Sequence, residues 1–416
     1  MNRVRQDNSA EADATQSALA VGRIESDADA TSLMRILSSA FAMTPRDAER
    51  YEKLVGRPSF RVVRDGNTIV GGLAVIRMGQ HFGGRNISMA GIAAVGIAPW
   101  MRGRGAARTL MAGVLRELRG EGIAISTLYP ATQTLYRAVG YEIAGSQYEM
   151  TLPLNAIHIK DSALAVRPIE PGDERAVEEL YASHAPQRAG SLARNDVMWK
   201  RIRTPRGKPA DGFIITNGST PEGYIYFTQQ RGRNKPYSLR VYDMLGVTPA
   251  ATRRLLSFLA EHRSVGEEVL WLGSPCDSII AALPENAWKI RLNLHWMLRI
   301  VDVKAALEAR GYAPTASGTL QFEIEDDVLE ANAGTWTLEV KNGNATVNRA
   351  DSAAATSHRH TPALRVTTRA LAPLYTGFMS AHELATLGWI KARNDESLAL
   401  ANGLFAGAMP CMSDGF

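Results

Sequence analysis

A continuous run of small and apolar residues from Ser88 to Ala98, followed by a turn of glycine and arginine, constrains this chain more than any other feature. An unbroken apolar run of this kind predicts a strand buried on both faces. After the turn, apolar residues recur three and four positions apart, which predicts a helix; they are Leu110, Met111, Val114, Leu115 and Leu118. The segment therefore predicts a strand, turn and helix unit of an α/β fold.

The turn itself, residues 102–107, reads Arg-Gly-Arg-Gly-Ala-Ala. The first N–H groups of a helix have no partner within the helix, and glycine lets an anion approach them closely. The pattern R-x-x-G-x-A is supplied by Arg102, Gly105 and Ala107, and it matches neither the dinucleotide pattern G-x-G-x-x-G nor the nucleotide-hydrolase pattern G-x-x-x-x-G-K-S/T. The turn is thus a candidate cradle for a diphosphate of another kind.

Periodicity places further elements around this turn. Asp27 or Asp29 is expected to cap a helix that runs to Phe41. Two strands, 60–64 and 69–76, flank the turn signal Asp65-Gly66-Asn67 and predict a hairpin. Residues 123–129 and 141–152 are predicted strands, with a short helix at 133–139 between them.

A second unit repeats this order from Val166 onwards. It has a helix at 172–183, strands at 213–216, 223–228 and 239–248, and an amphipathic helix through Leu255 and Leu259. Pro249 follows its apolar strand as Pro99 follows the first one, yet residues 250–254 contain none of the glycines of the first turn. This unit is interpreted as a structural copy that has lost its anion cradle.

The third unit begins near Trp296 and differs in pattern. A helix at 302–310 is followed by strands at 318–325, 334–341 and 344–349 and by helices at 368–376 and 381–386, which predicts an α+β domain. The fold class is therefore α/β (α+β): two related α/β units followed by an α+β unit. We divide the chain into a flexible tail at 1–20 and units at 21–160, 161–298 and 299–416.

Composition excludes several classes of protein. Only Cys276 and Cys411 occur, outside any Cys/His cluster, so neither a disulfide framework nor a structural metal is expected. No apolar run is long enough for a signal peptide core or a membrane span, so we expect a cytoplasmic protein without a membrane partner. The basic stretch 199–208 is interpreted as an exposed loop rather than a nucleic-acid hook.

These motifs resemble those of a known superfamily. The Arg102–Gly105–Ala107 pattern looks like the coenzyme A pyrophosphate loop of the GNAT acetyltransferases. In more detail, the chain resembles the enhanced-intracellular-survival (Eis) acetyltransferase family over residues 21–416. The resemblance rests on residues 95–99 with 102–105, on residues 128–132 with 135–141, and on Phe416 at the end of the sequence. It implies an active GNAT domain, a degenerate second GNAT copy and a sterol-carrier-like third domain.

The resemblance also implies which residues contact acetyl-coenzyme A, the expected co-substrate. No metal is implied. Carried over by position, the expected contacts are Val95, Gly96, Ile97, Gly103, Arg104, Gly105, Ala106, Ala107, Arg108, Ala131 and Thr132.

Two residues are candidates for proton transfer. Tyr136 is the candidate general acid, because a phenol of pKa near ~10 suits a thiolate product. The resemblance implies that the α-carboxylate of Phe416 is the proton acceptor. By residue type no His or Glu stands out near these motifs, although His81, in a predicted glycine-rich loop, could serve. From the sequence alone, residue 416 would be expected to lie in a frayed terminus. Gly415 stands where the family has an acidic residue, and Asp414 precedes it.

The expected activity is direct acetyl transfer from acetyl-coenzyme A to primary amines of an aminoglycoside or polyamine. The acidic last third of the chain suits a cationic small-molecule substrate. The resemblance implies a homohexamer, and no nucleic-acid partner is expected. Two alternatives remain at this stage: a protein-lysine acetyltransferase, and a binding module without catalytic activity that takes up lipid or nucleic acid.

Overall fold

The computed structural model describes residues 19–231, 236–350 and 361–416. The tail predicted for residues 1–20 lies outside the described residues except at its end, where the strand β1 (Ala20–Gly22) begins. The first unit continues with helices α1 (Asp27–Phe41), α2 (Pro45–Val55), α3 (Ala106–Gly120) and α4 (Gln133–Arg137), and with strands β2 (Phe60–Asp65), β3 (Thr68–Phe82), β4 (Arg85–Ile97), β5 (Ile125–Leu128) and β6 (Glu142–Pro153).

Local sequence explains the start of this unit. Ser26, rather than Asp27 or Asp29, caps α1 by accepting a hydrogen bond from the Asp29 amide, and Asp29 instead pairs with Arg64. The predicted hairpin of β2 and β3 forms around Gly66, which has a φ of 56°. Strands β3 and β4 are longer than predicted, because they continue to a tight turn at Gly83 and Gly84, both of which have positive φ.

The second unit repeats the first. Its strands are β7 (Ala165–Pro168), β8 (Leu192–Ala193), β9 (Asp211–Asn217), β10 (Thr220–Arg231), β11 (Tyr237–Gly246), β12 (Gly266–Gly273) and β13 (Lys289–Ile300), and its helices are α5 (Glu174–His184), α6 (Asp196–Arg203), α7 (Pro249–Glu261) and α8 (Ser278–Ala281). In both units three antiparallel strands are followed by a parallel one: β5 lies parallel to β4, and β12 lies parallel to β11.

The two copies exchange their last strands. Among the described residues one sheet follows the order β1-β2-β3-β4-β5-β13-β6-β12-β11-β10-β9-β7. Strand β13 of the second unit lies between β5 and β6 of the first, and β6 in turn pairs with β12 of the second. Each unit therefore relies on the other for backbone hydrogen bonds at the centre of the sheet, so the copies form one continuous sheet.

The third unit has its own sheet and packs against the first unit through a shared hydrophobic core, and a buried ion pair joins it to β13. The sheet order is β16-β15-β14-β17-β18, with strands β14 (Gly318–Glu325), β15 (Gly334–Lys341), β16 (Asn344–Arg349), β17 (Ala363–Thr367) and β18 (Ile390–Ala392), and with helices α9 (Val303–Ala309), α10 (Thr368–Thr376), α11 (Ala381–Thr386) and α12 (Asp395–Phe405). Arg299 of β13 pairs with Asp326 at 2.6 Å, and both side chains are fully buried. After α12 the chain runs back to the junction of the first two units, where the backbone of Cys411 forms an isolated parallel β-bridge with Ser146 of β6.

The basic stretch at 199–208 is only partly an exposed loop. Residues up to Arg203 belong to α6, which buries Trp199 and Ile202. After the helix, Thr204, Arg206, Gly207 and Lys208 are exposed and Pro205 is buried. Among the described residues, no helix combines the length and apolar character needed to cross a bilayer.

Candidate active site

The glycine-arginine turn forms an open cradle at the start of α3. Gly103 and Gly105 have φ values of 76° and 82°, a region that suits glycine, and neither Cβ position would meet another atom within 4 Å. The amides of Gly103 and of Gly105 to Arg108 form no hydrogen bond with the described part of the chain. These amides point from the positive end of a long helix into free space, which is the arrangement that binds a pyrophosphate.

Basic side chains surround this cradle. Arg102, Arg104 and Arg108 are exposed, and none of them makes an ion pair with a described residue. Ala106 is buried against the sheet and Ala107 is half-buried, so the small residues of the motif allow α3 to begin close to β4. The cradle thus combines free backbone donors with unpaired positive charge, as binding of a diphosphate requires.

The strand before the cradle opens away from its parallel neighbour. Pairing of β4 with β5 ends at Ile92 and Leu128, so residues 93–97 have no partner on that edge. On the other edge the ladder with β3 shifts register, and Ala94 at that bulge has a φ of 51°. The backbone of Val95, Gly96 and Ile97 therefore borders a gap between two diverging strands. Its free edge can hydrogen-bond an extended ligand whose pyrophosphate lies on the cradle.

The remaining sequence-predicted contacts lie on the far side of this gap. Ala131 and Thr132 are exposed, directly before α4. Tyr136 lies in α4 and is 6% exposed, with its ring edge-on to Tyr141 at 6.2 Å between centroids. Its hydroxyl forms no hydrogen bond with the described residues, and burial raises the pKa of Tyr136 to about 12. The phenol therefore stays protonated at neutral pH, as a general acid must.

Phe416 lies against the middle of β4. A Cβ built on Gly91 would stand 2.7 Å from Cε2 of the Phe416 ring, so the absence of a side chain at Gly91 creates the space that the ring occupies. The ring also packs on Tyr129, with 5.8 Å between centroids. Side chains alternate between the faces of a strand, which puts Gly91 on the face of α1 and Ile92 on the face of α3 and Tyr136. Phe416 and Tyr136 thus flank the gap from opposite faces.

His81 is not part of this gap. It lies within β3 instead of a loop, is 6% exposed, and its Nδ1 is 3.2 Å from the Ser191 carbonyl oxygen. Burial lowers the pKa of His81, so the ring is neutral at pH 7. Its contact with Ser191 joins β3 to the second unit. This structural role explains why a histidine is buried here without a part in catalysis.

The second copy has lost the cradle chemically as well as in sequence. Thr248 caps α7 by accepting from the Ala251 amide, and its hydroxyl donates to Glu222 at 2.5 Å. The Glu222 carboxylate therefore lies at the start of α7, whereas the start of α3 in the first copy has free amides and arginines. Helix α8, which follows β12 as α4 follows β5, contains no tyrosine. The gap between β11 and β12 remains as a cavity of about 950 Å³, and the tail residues Met409, Cys411 and Ser413 form part of its wall.

Comparison with known proteins accounts for both copies. The description "Acetyltransferase (GNAT) domain" applies to two family profiles, one matching residues 23–144 and the other residues 190–300, while a profile described as "Sterol carrier protein domain" matches residues 303–413. A solved GCN5-related N-acetyltransferase from Anabaena variabilis is 37% identical, with a TM-score of 0.89 over 96% of this chain and 100% of that one. The chain belongs to the GCN5-related N-acetyltransferase family.

The resemblance to Eis proteins is also confirmed. The N-acetyltransferase Eis of Mycobacterium bovis is 26% identical over 389 residues, which is 88% of this chain and 91% of that protein. Eis1 from Mycobacterium abscessus, at 21% identity and a TM-score of 0.77, shares the fold. Two GNAT domains followed by a sterol-carrier-like domain are thus present in a single chain, and the protein is an N-acetyltransferase of a family that uses acetyl-coenzyme A.

The contacts that hold Phe416 in place were not found from the sequence. The Tyr129 hydroxyl donates to the Asp414 carbonyl at 2.7 Å, and Gln147 Nε2 donates to the Met412 carbonyl at 3.0 Å. Arg194 donates from Nε to the Asp414 carboxylate at 3.0 Å. Tyr129 lies within the motif at 128–132, and it is the only one of the three that the sequence motifs include. No local signal links Gln147 or Arg194 to the end of the chain, because both partners lie far away in sequence.

Proposed function

We propose that this N-acetyltransferase moves acetyl directly from acetyl-coenzyme A to a primary amine of a small cationic molecule, an aminoglycoside or a polyamine. The observation that carries the proposal is the position of Phe416 on Gly91, at the strand that leads into the open cradle. In this proposal the cradle and the free edge of residues 95–97 hold the co-substrate, with Ala131 and Thr132 across the gap.

The chemistry requires one bond to form and one to break. The neutral amine nitrogen attacks the thioester carbon, and backbone N–H groups at the bulge of β4 stabilise the oxyanion. As the carbon–sulfur bond breaks, the Tyr136 hydroxyl supplies a proton to the departing thiolate. The α-carboxylate of Phe416 accepts the proton from the amine, which becomes far more acidic once its nitrogen bonds to carbon.

Direct transfer is favoured over an acyl-enzyme by the positions of the thiols. Cys276 and Cys411 both line the cavity of the second copy. A thioester intermediate would need a nucleophilic thiol in the gap of the first copy, beside the cradle. The proposed order is therefore a ternary complex followed by a single chemical transfer.

The substrate class is tested by thiol release from acetyl-coenzyme A across aminoglycosides, polyamines and lysine peptides. Because Cys276 is exposed and would react with the thiol reagent, the assay uses the Cys276→Ser variant as well as the natural chain. Turnover with aminoglycosides or polyamines supports the proposal. Turnover with lysine peptides alone would replace it by protein acetylation, and coenzyme A binding without any turnover would indicate a binding module.

A further inference from the structure

Arg194 occupies the junction of the first unit, the second unit and the carboxyl-terminal tail. Its backbone follows β8, which pairs with β3, and the next residue, Asn195, donates from its side chain to the Arg77 carbonyl at 2.9 Å. Both contacts tie Arg194 to the sheet of the first unit. Its guanidinium, however, reaches groups that belong to the second unit and to the tail.

The guanidinium is held by a set of buried partners. Its Nη1 pairs with Asp243 of β11, and its Nε pairs with Asp414 at 3.0 Å. The side chain of Arg194 is 1% exposed and that of Asp414 is 4% exposed. We call Arg194, Asp243 and Asp414 the tail clamp. Burying charged groups this deeply costs solvation free energy, which is offset only when the ion pairs have good geometry and further hydrogen bonds.

Aromatic and phenolic groups complete the tail clamp. The Arg194 guanidinium carbon lies 3.7 Å from the Tyr181 ring centroid and 4.9 Å from that of Trp199. The Tyr224 hydroxyl donates to Asp243 at 2.6 Å. Burial opposes the positive charge, but the two carboxylates more than offset it, so the pKa of Arg194 lies well above its ordinary value. The guanidinium therefore stays charged in its position between Asp243 and Asp414.

The tail clamp restricts the position of Phe416. Only two peptide units separate Asp414 from Phe416, and an extended chain spans at most ~3.6 Å per residue. With Asp414 fixed, the Cα of Phe416 cannot lie more than about 7 Å from the Cα of Asp414, and the α-carboxylate is bonded directly to that Phe416 Cα. The carbonyls of Met412 and Asp414 are fixed in addition by Tyr129 and Gln147.

We propose that Arg194 is a positioning residue that places the α-carboxylate of Phe416 in the active site through its ion pair with Asp414. The second GNAT copy supplies Asp243 for this purpose, and tail residues Met409, Cys411 and Ser413 line its cleft, which gives the degenerate copy a role in catalysis. This inference rests on the proposed function of Phe416, since a clamp on the tail affects turnover only if the tail takes part in the reaction.

The test combines an activity assay with a direct probe of the tail. Carboxypeptidase A removes aromatic residues from chain ends, so intact-mass spectrometry gives the rate at which Phe416 is released. Arg194→Gln leaves two buried carboxylates facing each other without a cation. We expect at least tenfold faster release of Phe416 and a fall in kcat on the order of 10²-fold, with the Kd for coenzyme A unchanged. Arg194→Lys keeps the charge and should recover part of both losses.

Arg203→Gln is the matched control, because Arg203 also stacks on Trp199 but pairs with Glu178 instead of the tail. It should leave both rates unchanged. A second comparison places Arg194→Gln in a chain lacking Phe416, where it should cost no further kcat. If Arg194→Gln lowers kcat by the same factor in that chain as in the natural chain, the positioning role is overturned. Release of Phe416 at an unchanged rate from Arg194→Gln would also overturn it. If deletion of Phe416 alone leaves turnover intact, the proposed function fails, while the release rates still decide whether Arg194 clamps the tail.

Discussion

The Phe416 ring occupies the space that a side chain on Gly91 would fill: a Cβ at Gly91 would stand 2.7 Å and 2.9 Å from two carbons of the ring. Gly91 does not have a positive φ, so alanine fits its backbone and the clash falls on Phe416 and on the Met78 methyl. The glycine is therefore required by the ring rather than by the strand.

The first prediction follows from this contact. Gly91→Ala should displace Phe416 by about 1 Å and lower kcat on the order of 10²-fold, because misplacement of a reacting group by that distance is enough. Its Kd for coenzyme A, measured by calorimetry, should stay within about twofold, since the cradle is unaffected. Gly120→Ala is the control, because nothing lies within 4 Å of its Cβ position. Equal kcat for Gly91→Ala and the natural chain would show that the ring position is irrelevant to turnover.

The second prediction concerns the cradle. Gly105 has a φ of 82° in open space, so Gly105→Ala is strained only through its backbone, by about 1–2 kcal/mol. Relief of that strain would turn the free amides away from the pyrophosphate. We expect the Kd for coenzyme A to rise about tenfold, with the melting temperature nearly unchanged. If Gly105→Ala binds coenzyme A as tightly as the natural chain does, the pyrophosphate does not bind at this turn.

The third prediction concerns Tyr136. Because burial raises its pKa to about 12, the phenol stays protonated throughout the working range, and kcat should show no loss with rising pH up to about pH 10. Tyr136→Phe should lower kcat about 10²-fold across that range. Tyr237→Phe removes another largely buried hydroxyl, in the second unit, and should not change kcat. A fall in kcat below pH 10 that is absent from Tyr136→Phe would contradict the prediction, because it would mean that the phenol loses its proton in that range.

The fourth prediction concerns stability in acid. Arg61, fully buried, pairs with Glu117 of α3 at 2.7 Å, and its hydrogen bond is the main cause that lowers the pKa of Glu117 to about 2. A depressed carboxyl pKa stabilises the fold above the ordinary value of 4.5, and the effect is lost as the pH falls towards 2.

Glu117→Gln should therefore lower the free energy of unfolding by about 2 kcal/mol at pH 7, after allowance for partial exposure of the carboxylate. The difference from the natural chain should shrink steadily between pH 4.5 and pH 2, as measured by urea denaturation. Glu49→Gln removes an exposed helix pair with Lys53 and should change stability little at any pH. A constant difference for Glu117→Gln across this pH range would mean that packing, rather than charge, is lost.

The order of elements along the chain was largely predictable, because local rules determine it. The apolar spacing of α3, the glycines of the cradle and the turn at Gly66 each act over a few residues. The strand exchange was not predictable, since β13 carries the same alternation whether it pairs with β5 or with a strand of its own unit. Periodicity identifies a strand but not its neighbour.

Only part of the candidate site could likewise be predicted from the sequence. The cradle and Tyr136 lie within one short stretch of sequence and were recognised by motif. The partners of the tail were not, because Arg194 and Asp414 are separated by 220 positions. Their pairing depends on the path of the chain through all three units, and neither residue lies in a recognisable motif. His81 failed as a candidate because β3 extends further than its turn residues indicated.

The most direct test of the account uses the α-carboxylate itself. A peptide of residues 411–416 begins with Cys411, so it can be ligated to the rest of the chain with Phe416 either as the free acid or as the amide. Single-turnover acetyl transfer to an accepted amine is then measured for both proteins at equal occupancy of acetyl-coenzyme A. The account predicts that the amide transfers acetyl on the order of 10²-fold more slowly than the acid. Equal rates would contradict it.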